Sequence, residues 1–203
     1  MTANLEYRTT PQVGSRSASV RASDTGKTLT GYSILWGVLS QPLSKRGDFF
    51  QERIQRGSTL KSLKDNDIFM LYSHDVADLL GRTSSETLQL NEDAMGLRFS
   101  LNVPDTNLGR DVVELCRRGD LKGMSFGFFI PKDGEQWTYE NGERIRTVTQ
   151  MFLHEISVVA NPAYPTTSVQ ARTKIDHKSP NAFAMARQTL VEQEIEWEHL
   201  CRN

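Results

Sequence analysis

Apolar residues alternate with polar ones through much of this chain, and they take helical spacing in only a few places. Ala18, Val20 and Ala22 alternate up to the turn signal "SDTGK", and Leu29, Tyr32, Ile34 and Trp36 resume after it. Two such runs around Asp-Thr-Gly predict a hairpin. "SKRGDFFQERI" follows, with a Gly-Asp turn and the apolar pair Phe49 and Phe50. "DIFMLYSHD" is a short apolar run that ends in polar residues. Leu88 and Leu90, then Leu97, Phe99, Leu101 and Val103, predict two strands joined by the loop "NEDAMG". "DLKGMSFGFFI" reads as a buried strand, "PKDGEQWTYENGERIRTVTQ" as a polar hairpin with an Asn-Gly turn, and "MFLHEISVVAN" as a long strand stopped by "PAYPTTS".

Helical spacing marks "GSTLKSLKDND", with Ser58 or Thr59 as cap and Leu60 and Leu63 on one side. It is clearest in "TNLGRDVVELCRRGD", where Thr106 caps, Leu108, Val112 and Leu115 share a face, and Gly119 stops the helix. After Arg172 the character changes to the linker-like "TKIDHKSPN" and then an acidic helical stretch containing Glu192, Glu194, Glu196 and Glu198. The pattern predicts a flexible N-terminus over 1–15, a β-rich body over 16–172 with two short peripheral helices, and a linker and acidic helix over 173–203. Strands in this proportion favour a closed or partly closed sheet over an alternating βαβ layout.

Composition narrows the function classes. A net charge of −1 over 203 residues provides no basic field for nucleic acid or anionic membrane. No apolar run approaches a membrane span, and the N-terminus carries no signal-peptide core. Two cysteines in unlike settings, Cys116 and Cys201, read as reduced thiols of a cytosolic compartment. No phosphate-binding loop, dinucleotide fingerprint or cofactor motif is present in the sequence.

Three stretches carry candidate chemistry. Ser125 lies at the centre of "GMSFG", a hydroxyl inside an apolar, glycine-flanked run. A buried serine bonded to a carbonyl is the plain reading, and an active nucleophile the sharper one. "GMSFG" matches the GxSxG pattern, but the elbow of that pattern needs alternating helices and a histidine after the serine. Here His74 precedes it, at the end of "MLYSHD". In "LHEISVV", His154 and Glu155 interrupt the most hydrophobic strand, and strict alternation sends them to opposite faces. A carboxylate there requires a partner or solvent. Hydroxyl, imidazole and acid together fit the nucleophile–base–orienter template. A metal site on His74, Asp75, His154 and Glu155 is the competing use, with no established ligand spacing behind it.

"LYSHD" with "LLGRTSSETLQL", then "DLKGMSFGF", then "LHEISVVANPAYP" resemble the prohead maturation proteases of tailed bacteriophages. "LTGYSILWGVLS" and "FFQERIQRGS" resemble that family's opening, so the likeness runs over about residues 28 to 170. The resemblance implies a serine endopeptidase with a β-barrel similar to herpesvirus assembly proteases. It puts His74 on the base, Ser125 on the nucleophile and Glu155 on the orienting position. His154 is the rival third member, because herpesvirus relatives use a second histidine, and Ser157 is read as structural. It also implies action inside the assembling procapsid in the host cytoplasm. The substrates would be scaffold segments of the major capsid protein and the protease itself, with self-association as an oligomer a further possibility. No cofactor, metal, nucleic acid or membrane enters that reading. The alternatives are a non-catalytic capsid-assembly module on the same body and a metal-dependent hydrolase built on His74 and His154.

Overall fold

The computed structural model describes residues 5–9, 12–13, 16–17, 20–22, 27–45 and 48–160. The chain divides into two units, Met1–Thr167 and Ser168–Asn203. The predicted linker and acidic helix, and Cys201 with them, lie outside the described residues.

The first unit begins with the strands β1 (Glu6–Thr9), β2 (Gln12–Val13), β3 (Arg16–Ser17), β4 (Val20–Ala22), β5 (Thr28–Leu35), β6 (Leu43–Lys45) and β7 (Asp48–Ile54). Helix α1 (Leu60–Asp65) leads to β8 (Phe69–Tyr72), β9 (Asp75–Arg82), β10 (Leu88–Glu92) and β11 (Gly96–Asn102). Helix α2 (Asn107–Arg118) is followed by β12 (Gly123–Phe129), β13 (Glu135–Glu140), β14 (Glu143–Val148) and β15 (Phe152–Val159).

Local chemistry accounts for most of these elements. The Thr106 side chain accepts from the Gly109 N–H at the start of α2. Gly119 ends that helix in the left-handed region at φ 80° and donates to the Cys116 carbonyl, while Arg117 and Arg118 sit in the last turn where the helix dipole favours cations. Val112, Val113 and Cys116 form its buried side, and burial pushes the Cys116 thiol up to about 11. Asn141 and Gly142, at φ 52° and 83°, make the two-residue turn between β13 and β14 that the Asn-Gly pair predicts.

The strands form sheets ordered β1-β12-β15-β8-β9, β10-β11-β5-β4 and β13-β14-β7-β6, plus the pair β2-β3. Among the described residues none of these sheets closes into a barrel, so of the closed or partly closed sheet that was expected, full closure is not found. Hydrogen-bonded pairing ends at β1 and β9 in the first sheet and at β10 and β4 in the second. The sheets meet instead through side chains: Leu29, Ile34, Phe99 and Leu101 of one share a core with Met70, Phe126, Leu153 and Ile156 of the other. Pairing between these strands is antiparallel except where β15 meets β8 and β14 meets β7, and an isolated parallel bridge joins Trp36 to Ile54. Strand β1 pairs with β12 along its outer edge.

The third sheet carries an unusual buried charge. Arg146 is the largest fully buried side chain, and it lies opposite Glu52 in the β14–β7 ladder. Its Nε donates to Glu52 Oε2 at 2.6 Å, and its two terminal nitrogens donate to Glu6 at 3.2 and 2.5 Å. Burial by itself would lower the Arg146 pKa, but the Glu6 hydrogen bond and the Glu52 charge outweigh it and hold the guanidinium charged.

Candidate functional site

The five-stranded sheet gathers the candidate residues. Ser125 on β12 stands opposite Ser157 on β15, and Gly127 stands opposite Glu155. Residues two apart on a strand share a face, so Ser125, Gly127, Glu155 and Ser157 form one patch. His74 comes from the turn between β8 and β9, whose flanking residues Tyr72 and Asp75 pair. Ser73 and His74 both have positive φ, 54° and 64°, the signature of a tight type I′ hairpin turn. Neither is glycine, so the turn holds about 1 kcal/mol or more of local strain per residue. Tertiary hydrogen bonds hold it there. The Ser73 N–H donates to the Val158 carbonyl at 3.0 Å and the His74 N–H to Ser157 Oγ at 3.2 Å.

The turn aims the imidazole at the carboxylate. His74 Nδ1 lies 2.8 Å from Glu155 Oε1. An ionised carboxylate only accepts, so against one Nδ1 is the donor, and in a neutral imidazole of that tautomer Nε2 holds the lone pair. Ser157 donates its hydroxyl to Glu155 Oε2, so both carboxylate oxygens are engaged. With its side chain 2% exposed, Glu155 is buried with the partners that such a carboxylate requires. Gly127 makes room for the arrangement: a Cβ there would lie 2.6 Å from Glu155 Oε1 and 3.0 Å from Tyr7 Cε1.

The structure brings His74 and Glu155 into contact, and it places Ser125 on the same sheet patch, one strand away. Ser125 is fully buried, and its hydroxyl donates to the Arg8 carbonyl oxygen at 2.9 Å. His154 packs differently, with its ring edge-on to Phe69 at 5.4 Å. Strict alternation does not run from Leu153 to Glu155. Gly127 faces Glu155 while Phe128 faces Leu153, so His154 is the extra residue of a bulge in β15. Among the described residues, no three His, Cys, Asp or Glu side chains converge as a metal-ligand group.

Sequence reasoning passed over Tyr7 and Arg8. The Tyr7 ring stands edge-on to the His74 ring at 4.7 Å, and burial first, then the Glu155 charge, pushes its hydroxyl up to about 12. Both residues belong to a four-residue strand inside a polar lead-in, where alternation is too short to register.

Burial lowers the His154 pKa, with the Glu155 and Asp67 charges pulling the other way. The unfolded chain therefore binds a proton that the folded chain refuses, below the usual histidine value of about 6.5. This contribution to stability is complete above that value and is lost as pH falls toward the lower, folded value. The melting temperature should drop as pH falls below about 6.5, and His154→Phe should flatten that part of the profile. An unchanged slope in the variant would assign the acid sensitivity elsewhere.

A mainly β body that carries a hydroxyl, an imidazole and a carboxylate on one sheet patch has the inventory of a serine hydrolase. The chain belongs to the caudovirus prohead serine protease family, whose model matches residues 16–180. Among solved structures it is similar to the bacteriophage T4 capsid assembly protease gp21, at 13% identity with a TM-score of 0.46, covering 79% of this chain and 100% of that one. No curated protein matches the chain. Among the described residues, no helix is long and apolar enough to cross a membrane.

Proposed function

We propose that this protein is a serine endopeptidase of capsid maturation, with Ser125 as nucleophile, His74 as general base and Glu155 as the residue that orients His74. The observation that carries the reading is the 2.8 Å contact between His74 Nδ1 and the buried Glu155 carboxylate, on the patch that holds Ser125. In the first step Ser125 Oγ bonds to the peptide carbonyl carbon while its proton passes to His74 Nε2. Glu155 stabilises the imidazolium that results. The proton then goes to the leaving amine as the C–N bond breaks, which leaves an acyl-enzyme. Water repeats the sequence, giving its proton to His74 and its oxygen to the acyl carbon, and Ser125 is restored. His154, packed against Phe69, is assigned no part in this chemistry.

The family match supports a prohead as the place of action; in this reading capsid protein is the substrate and the enzyme's own chain a second target. The test is co-expression of the wild-type chain or Ser125→Ala with the major capsid protein of the same phage. Shortened capsid protein should appear only with the wild type. Equal products with both would remove Ser125 from the mechanism.

A further inference from the structure

A nucleophile that is fully buried cannot meet an incoming peptide, so whatever covers Ser125 has to move. The cover is β1. It pairs antiparallel with β12 from Glu6 opposite Phe128 to Thr9 opposite Ser125, and it places the Arg8 carbonyl oxygen 2.9 Å from Ser125 Oγ. An extended segment that adds to a sheet edge and presents a peptide group to the serine is in the position that a substrate strand would take.

How β1 is held supports the same view. Glu6, Tyr7 and Arg8 lie outside the apolar core, and Tyr7 is 48% exposed. The strand is anchored by backbone pairing and by a crossed charge pattern: Glu6 on Arg146, and Arg8 Nε on Glu52 Oε1 at 2.8 Å. Glu6 and Arg8, two residues apart, share one side of the strand, and both of their partners belong to the buried β7–β14 pair. That pair is balanced without β1, because Arg146 and Glu52 bond each other. The family match begins at residue 16, so β1 lies outside it.

Building on the serine protease reading, we infer that the outer edge of β12, together with Arg146 and Glu52, is the groove for an extended peptide substrate, and that β1 occupies it as an internal stand-in. The groove takes a peptide with an acidic side chain, received by Arg146, two residues before the residue whose carbonyl meets Ser125. Glu6 and Arg8 of this chain have that spacing. While β1 is seated the enzyme is closed, and substrate enters by displacing it.

The full chain with Glu6→Lys places a cation against Arg146 and should loosen β1. Two readings follow its effect: labelling of Ser125 by a fluorophosphonate probe, and anisotropy of a fluorescent LEYRTT peptide (residues 5 to 10) on Glu6→Lys/Ser125→Ala. Labelling should rise about tenfold over wild type, and the peptide should bind, with about tenfold loss when its own glutamate is replaced by lysine. Glu6→Gln, with a smaller rise expected, replaces Glu6→Lys if the latter lacks a cooperative melt. Equal labelling of both chains with no peptide binding overturns the groove and leaves the protease reading intact. Peptide binding without any labelling keeps the groove and overturns Ser125 as nucleophile. Absence of both overturns the two together.

Discussion

Replacing Ser125 by alanine is expected to lower kcat for peptide hydrolysis by about 10^3 to 10^6-fold and to change stability by only about 1 kcal/mol. The asymmetry follows from what the hydroxyl does. Structurally it makes a hydrogen bond to the Arg8 carbonyl, of the kind that is worth little net. Chemically it is the group whose oxygen would form the acyl bond. Glu155→Gln should cost about 10^4-fold, because an amide can face Nδ1 with its N–H₂ and so favour the wrong tautomer of His74. Active-site titration beside kcat checks both variants. If Glu155→Gln retains activity and His154→Ala abolishes it, the third role moves to His154.

The largest loss of stability is expected at Arg146, far from any bond that is broken. Removing the guanidinium in Arg146→Ala leaves Glu52, 3% exposed, as a buried carboxylate without its main cation. Breaking a buried pair from one side costs about 3 to 5 kcal/mol, since the survivor keeps its desolvation penalty and loses its compensation. Replacing both, as Arg146→Met with Glu52→Leu, should recover most of that loss. Urea unfolding of the two single variants and the double variant gives the coupling directly. A double variant as unstable as Arg146→Ala would show that packing of the long side chain, with its ring neighbours Phe50 and Trp137, outweighs its charge.

Local order was legible along the chain wherever one short window contained its own cause. Thr106 and Gly119 bracket α2, Asn141-Gly142 turns β13 into β14, and the period-2 runs at Leu88–Glu92 and Gly96–Asn102 pair as read. The strand Asp75–Arg82 was missed, because "DVADLLGR" shows neither period clearly and three of its eight positions are exposed. The mainly β class was legible, but the degree of closure was not, since the number of strands says nothing about which edges find partners.

The site divides in the same way. Residue types and their motif settings singled out Ser125, His74 and Glu155, because a hydroxyl, an imidazole and an acid stand out in apolar strands. Their relation to one another belongs to the tertiary structure. The distance from His74 to Glu155 is set by a strained two-residue turn and by the parallel register of β8 on β15, across a sequence separation of 81 residues. The bulge between Leu153 and Glu155 exists only in the pairing with β12. The covering of Ser125 by Arg8, 117 residues away, comes from a sheet edge that no local pattern announces. Side-chain chemistry is local and written residue by residue, whereas register, edge pairing and buried charge partners are decided by long-range contacts that form only when the whole body packs.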